Sequence, residues 1–211
     1  TQKPVIQSRE MSGYNWEERH LAILKLNKTN PPKTVLFGNS ITHFWGGEPS
    51  GYHAYGQDSW DDAFKGKAAR NFGFGWDRIE NVLWRVHHGE LDGYKAERIF
   101  VMIGTNNFQL NTDEEIVQGW DTLIQAIKQR QPQAKLTMVG IYPRRGQEER
   151  VVTLNQQLAA LTGKHNIHFA DPGKVLLQSD QNINESLFSD GLHPNKAGYQ
   201  QLGPIFKKLV N

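Results

Sequence analysis

Short runs of consecutive apolar residues alternate along this chain with longer stretches in which apolar positions recur every three or four residues. Thr34-Val35-Leu36-Phe37 is a compact apolar run closed by Gly38, the pattern of a strand buried on both faces of a parallel sheet. Residues 98–103 repeat it and end at Gly104, and residues 136–141 form a third such run, closed by Pro143. Residues 68–72 and 167–170 are weaker strand candidates. Between these runs lie helical periods. Ile79, Val82, Leu83 and Val86 share one face of a segment starting near Asp77. Ile116, Trp120, Leu123 and Ile127 follow Thr112, which stands three residues before Glu115 as a capping box requires. Val151, Leu154, Leu158 and Leu161 form a further stripe. Tyr199, Leu202, Ile205, Phe206 and Leu209 form another after Pro194. Ahead of the first strand, residues 16–26 read as an amphipathic helix stopped by Pro31-Pro32.

Strand–helix alternation of this kind predicts an α/β fold, a parallel sheet covered by helices on both faces. Residues 44–60 and 171–193 fit neither pattern, and long loops in a compact domain are more often functional than accidental. At 211 residues the expectation is a single domain over 1–211, with 1–32 as an N-terminal helical arm.

Composition narrows the classes. A mean hydropathy of -0.62 and the lack of a long uncharged apolar run argue against a membrane-spanning segment. Lys and Arg number 24 against 22 Asp and Glu, for a formal charge of +2. With Arg144-Arg145 and Lys207-Lys208 the notable basic pairs and no basic stripe, nucleic acid is not the expected partner. The chain has no cysteine, which removes disulfides, thiolate metal sites and cysteine nucleophiles together. His87 and His88 are adjacent and diverge on a helix, and His165 and His168 lack clear partners, so no metal is expected. The sequence opens at Thr1 rather than Met, as a trimmed or mature form would, and an exported location, secreted or periplasmic, is expected over a cytoplasmic one.

Open α/β sheets bind ligands outside the carboxyl ends of their strands. The first strand delivers Gly38-Asn39-Ser40-Ile41-Thr42 there, the next Asn71-Phe72-Gly73-Phe74-Gly75, and the third Gly104-Thr105-Asn106-Asn107; the last long loop adds Asp190-Gly191-Leu192-His193. Together they hold a hydroxyl, an imidazole, a carboxylate and oxyanion donors, the inventory of a serine hydrolase. A serine hydroxyl is a poor nucleophile until an imidazole takes its proton, and a carboxylate three residues from a histidine can orient its ring. Singly, each residue has a plainer reading. Ser40 could be a turn residue, Asp190 a helix cap, Asn106 the end of a turn. Their joint occurrence at strand ends favours catalysis: Ser40 as nucleophile, His193 as base, Asp190 as its partner, and Asn106 with the Ser40 and Gly73 amides as oxyanion hole. Asn39, His43, Trp45 and Asn107, neighbours of these residues in sequence, are candidate substrate-binding positions.

On these four ordered blocks the chain resembles the SGNH hydrolases of the GDSL esterase and lipase superfamily. Residues 82–91, Gly104-Thr105-Asn106-Asn107 and residues 130–135 are especially similar to the catalytic subunits of platelet-activating-factor acetylhydrolase. The resemblance implies a flavodoxin-like three-layer α/β/α fold with a five-stranded parallel sheet in the order 2-1-3-4-5, a serine mechanism without cofactor, and room for a homodimer. Asn39 and Asn107 stand where that family commonly has aspartate, and residues 46–60 read as an insertion.

The loop of residues 44–60 mixes Phe44, Trp45, Tyr52, Tyr55 and Trp60 with polar residues, which suits either a platform for a sugar ring or packing of the loop onto the body. The expected reaction is hydrolysis of a short-chain ester, acetyl above all, on a carbohydrate or another polar carrier. A lipid acetylhydrolase or lysophospholipase-like esterase is the alternative within the same chemistry. A catalytically silent carbohydrate-binding module is the alternative of another class, with Asn39 and Asn107 as marks of decay; the intact Ser40, Asn106, Asp190 and His193 speak against it.

Overall fold

The computed structural model describes residues 1–8 and 13–211. In chain order the elements are α1 (Trp16–Thr29), β1 (Thr34–Gly38), α2 (Ser40–His43), α3 (Gln57–Ala63), β2 (Ala69–Gly73), α4 (Ile79–His87), β3 (Arg98–Met102), α5 (Asp113–Arg130), β4 (Lys135–Val139), α6 (Glu148–His165), β5 (His168–Ala170) and α7 (Lys196–Leu209). Among the described residues the strands form one parallel sheet of five, in the order β2-β1-β3-β4-β5. This is the three-layer α/β/α arrangement expected from the strand–helix rhythm.

The period of two along each strand divides the core between the two faces. Val35 and Phe37 of β1, with Ile99 and Val101 of β3, join Ile23 of α1, Ile79 and Leu83 of α4, Trp120 of α5 and Leu158 of α6 in one apolar cluster. Leu36, Phe100 and Met102 point the other way, into a cluster with Trp45, Trp60, Tyr199, Leu202 and Phe206. Every residue of β1 is buried, as its unbroken apolar run predicts. Each face therefore carries its own helices, and the strand ends are left to present the loops.

Topology then decides where a ligand can sit. The chain runs from β1 outward to β2, then crosses back to β3 on the other side of β1. At such a reversal the loops leaving two adjacent strands part and open a crevice. Ser40 leaves β1 there, and a 3-10 turn, Thr105–Asn107, leaves β3 beside it.

The two unassigned stretches prove to be partly ordered. Residues 44–60 lead into α3, whose Gly56 N-cap offers no side chain and whose polar composition hides the helical period. Ser59 Oγ of α3 donates to the Tyr199 carbonyl at 2.6 Å, tying the insertion to α7. Residues 171–193 contain two 3-10 turns, Pro172–Leu176 and Glu185–Leu187, too short for periodicity to register.

Candidate active site

Gly38 closes β1 where the chain folds back onto α2. A Cβ there would collide with the Thr42 side chain, so the reversal needs glycine. Asn39 caps the turn, its Oδ1 accepting from the Ile41 amide at 2.9 Å. From the opposite side Tyr199 Oη donates to the Ile41 carbonyl at 2.7 Å. Ser40 is thereby fixed as the first residue of α2, with its side chain at the cleft.

The histidine arrives from the far end of the chain. Ser40 Oγ lies 2.8 Å from His193 Nε2, and His193 Nδ1 lies 2.7 Å from Asp190 Oδ2. An ionised carboxylate only accepts, so Nδ1 carries the hydrogen and Nε2 is left to accept the serine proton. Asp190 Oδ1 accepts from the Leu192 and His193 amides at 2.9 and 2.8 Å. Partial burial would raise the Asp190 carboxyl, but these bonds and the His193 ring outweigh it and hold it below the usual carboxylate range. The loop around it is fastened by Arg145. Its amide donates to the Gly191 carbonyl at 2.9 Å, its Nη1 to the Asp190 carbonyl at 3.2 Å, and its Nε and Nη2 to Glu185 at 2.7 Å each. Phe44 backs the imidazole, with ring centroids 5.3 Å apart.

Asn106 sits in the turn after β3, and its Nδ2 donates to the Asp77 carbonyl at 2.9 Å. A carboxamide nitrogen carries two hydrogens, so one remains for a ligand. Ser40, Asn106, Asp190 and His193 line one cleft of about 310 Å³ with Phe44, Tyr52, His53, Tyr55, Trp76, Ser189 and Leu192.

Five positions expected at the site lie elsewhere. The Gly73 amide donates to Asn71 Oδ1 at 2.8 Å in a buried setting, so it is not offered to an oxyanion. Asn39 and Asn107 are fully buried. Asn39 works as a cap, and Asn107 joins the turn to α4, accepting from the Ile79 amide and donating to Glu80 and Asn111. Trp45 is core, stacked on Tyr199 at 5.7 Å. His43 is only 1% exposed; its Nδ1 accepts from the Gly75 amide at 3.2 Å. Burial above all, with help from Arg19 and Arg85, drives its pKa down to about 2, so it is neutral. For His43, adjacency in sequence to Ser40 is no guide, because α2 turns its side chain inward.

The aromatic insertion divides. Trp45 and Trp60 are buried, whereas Tyr52 and Tyr55 are exposed at the cleft. Trp76 was not singled out from sequence. It carries a positive φ of 65° and is 56% exposed in the cleft wall. A tryptophan following Gly75 gives no signal of this by itself. Among the described residues no three histidine, aspartate or glutamate side chains gather to hold a metal ion, and no helix is long and apolar enough to cross a membrane.

The sequence profile of the GDSL-like lipase/acylhydrolase family matches residues 36–201. The chain belongs to this family. It is a carboxylic ester hydrolase with the flavodoxin-like fold of the SGNH enzymes. Human platelet-activating factor acetylhydrolase IB subunit alpha1 is 30% identical over 189 residues, spanning 87% of this chain and 78% of that protein. Among solved structures, a GDSL-like lipase from Bacteroides thetaiotaomicron superposes with a TM-score of 0.69 at 16% identity, covering 90% of this chain and 98% of that one. Est24, a carbohydrate acetylesterase from Sinorhizobium meliloti, gives 0.66 at 18% identity, covering 84% and 97%. At such identities the two structures speak for the fold alone.

Proposed function

We propose that this hydrolase is a serine esterase that removes short acyl groups, acetyl above all, from a carbohydrate or another polar carrier. The observation that carries the reading is the unbroken hydrogen-bonded chain from Ser40 through His193 to Asp190 at the mouth of one cleft. Ser40 Oγ attacks the ester carbonyl carbon as His193 Nε2 takes its proton, and Asp190 stabilises the imidazolium that forms. The Ser40 amide and the second hydrogen of Asn106 Nδ2 receive the developing oxyanion. Collapse returns the proton to the leaving alcohol. Water, deprotonated by His193, then attacks the acyl-serine and releases the acid.

The carrier is argued from the wall of the cleft. Tyr52, Tyr55 and Trp76 offer flat faces beside phenol and indole polar groups, the surface on which a pyranose ring can stack while its hydroxyls find partners. A volume of about 310 Å³ lies at the small end of ligand sites, which suits a short acyl group and one ring. The likeness to platelet-activating factor acetylhydrolase favours a second reading, an acetyl ester on a lipid.

Hydrolysis of p-nitrophenyl acetate, butyrate and octanoate by the intact protein and by Ser40→Ala tests the mechanism. Acetate turnover that falls with chain length and is lost in the variant is expected. Acetylated monosaccharides set against an acetylated phosphocholine lipid then separate the carriers. Equal rates for the protein and Ser40→Ala on all three esters would overturn the reading.

A further inference from the structure

Asn106 hangs from a three-residue turn, and a terminal carboxamide has a broad torsional well. What fixes its orientation is the Asp77 carbonyl, which takes one Nδ2 hydrogen at 2.9 Å and thereby directs the other. Asp77 itself is anchored with unusual thoroughness. Its carboxylate is wholly buried. Oδ1 accepts from Gln7 Nε2 at 2.7 Å and from Trp16 Nε1 at 2.8 Å. Oδ2 accepts from Arg85 Nε at 2.9 Å, and Arg85 is itself buried against Glu90 with its guanidinium 3.9 Å from the centre of the Phe74 ring. Two residues earlier the Gly75 carbonyl accepts from Gln7 Nε2 at 3.1 Å and from Tyr14 Oη at 2.8 Å.

None of Gln7, Tyr14, Trp16 or Arg85 lines the cleft. Their bonds converge instead on residues 75 and 77, the strip joining β2 to α4. A buried carboxylate is costly unless fully partnered. Packing alone would be served by an apolar side chain at position 77. Three donors on one carboxylate instead fix the peptide of the same residue, and that peptide ends in the carbonyl that holds Asn106.

We infer that Asp77 is a positioning residue for the reaction, and that Gln7 and Trp16 of the N-terminal segment act through it to aim the Asn106 amide at the oxyanion. The inference rests on the serine-esterase reading above. Loosening the anchor therefore lowers kcat and leaves KM alone, because the oxyanion develops only in the transition state.

The test is a double-mutant cycle on the full chain, with p-nitrophenyl acetate as substrate and thermal unfolding as the check on folding. Trp16→Phe keeps an aromatic ring and removes the indole donor; Gln7→Ala removes the other. Each is expected to reduce kcat on the order of 10-fold at constant KM, since small displacements of an oxyanion donor are costly. In an Asn106→Ala background neither is expected to reduce it further, because the group being aimed is gone. Asp77→Asn should behave likewise, and if it fails to fold beside Arg85 the other two variants carry the test. Losses of equal factor in both backgrounds would make the contacts merely structural and overturn the inference. So would folded single variants with unchanged kcat, or an effect confined to KM. Full activity in Ser40→Ala is a separate outcome that would remove the underlying reading and this inference with it.

Discussion

Trp76 is the residue whose conformation most needs an explanation. A bulky side chain at φ 65° sits where hard-sphere contacts disfavour it, at a cost of about 1–3 kcal/mol. Such strain persists where the surroundings dictate it, and here the flanking residues 75 and 77 are pinned. Trp76→Gly is expected to raise KM for aryl and sugar acetates by removing one wall of the cleft, while relief of backbone strain keeps the Tm from falling. A Tm lowered by several degrees would contradict the strain argument. Asn106→Ala is expected to lower kcat on p-nitrophenyl acetate by about 100- to 1000-fold, the loss typical of one oxyanion donor, at little cost in stability. At position 39 the cap uses the side-chain oxygen, which an amide and a carboxylate share. Asparagine therefore caps this turn as an aspartate would.

Among the elements, two caps of similar chemistry carry different consequences. Thr112 and Glu115 form a reciprocal box at the start of α5: Thr112 Oγ1 accepts from the Glu115 amide at 3.3 Å, and Glu115 Oε2 from the Thr112 amide at 3.1 Å. Thr112→Ala is expected to cost about 1 kcal/mol of stability with kcat unchanged, read by denaturant unfolding and by ester hydrolysis. Asn39→Ala removes a comparable bond, yet α2 is one turn long and begins with Ser40. The expected outcome there is a clear fall in kcat beside a similar loss of stability. The long stripes of α5 and α6 were legible in the sequence because periodicity accumulates over 18 residues each. A seven-residue helix such as α3 offers too few positions for the same signal.

For the molecule as a whole, a buried histidine is expected to contribute to acid sensitivity. His43 has its folded pKa depressed to about 2, against about 6.5 in an unfolded chain. Between those values the unfolded state binds a proton that the folded state refuses, so the stability this neutral ring contributes is fully present above pH 6.5 and is lost as the pH falls. One proton over the interval from pH 6.5 to 5 corresponds to about 2 kcal/mol. His43→Gln, which keeps an acceptor for the Gly75 amide, should lose correspondingly less stability than the unmodified protein between pH 7 and pH 5. Urea unfolding at the two pH values measures the difference, and equal losses would assign the acid sensitivity to other groups.

The layered α/β architecture was legible in local sequence, as apolar runs for the strands and helical stripes between them, and so were the candidate residues Ser40, Asn106, Asp190 and His193, as polar groups placed after strands and in the last long loop. Those features are short-range, and each is read within a few residues. The tertiary structure alone decided that Ser40 and His193, 153 positions apart, meet, and which of the candidate residues' sequence neighbours reach the cleft. His43, Trp45 and Asn107 turn inward and Gly73 spends its amide on Asn71. Trp76, far from Ser40 in sequence, forms the wall of its cleft. The grip of Gln7 and Trp16 on Asp77 joins residues 70 and 61 positions apart. Contacts of that range depend on how the sheet and its helices close, because a side chain's partner across a core leaves no periodic mark on the chain that carries it.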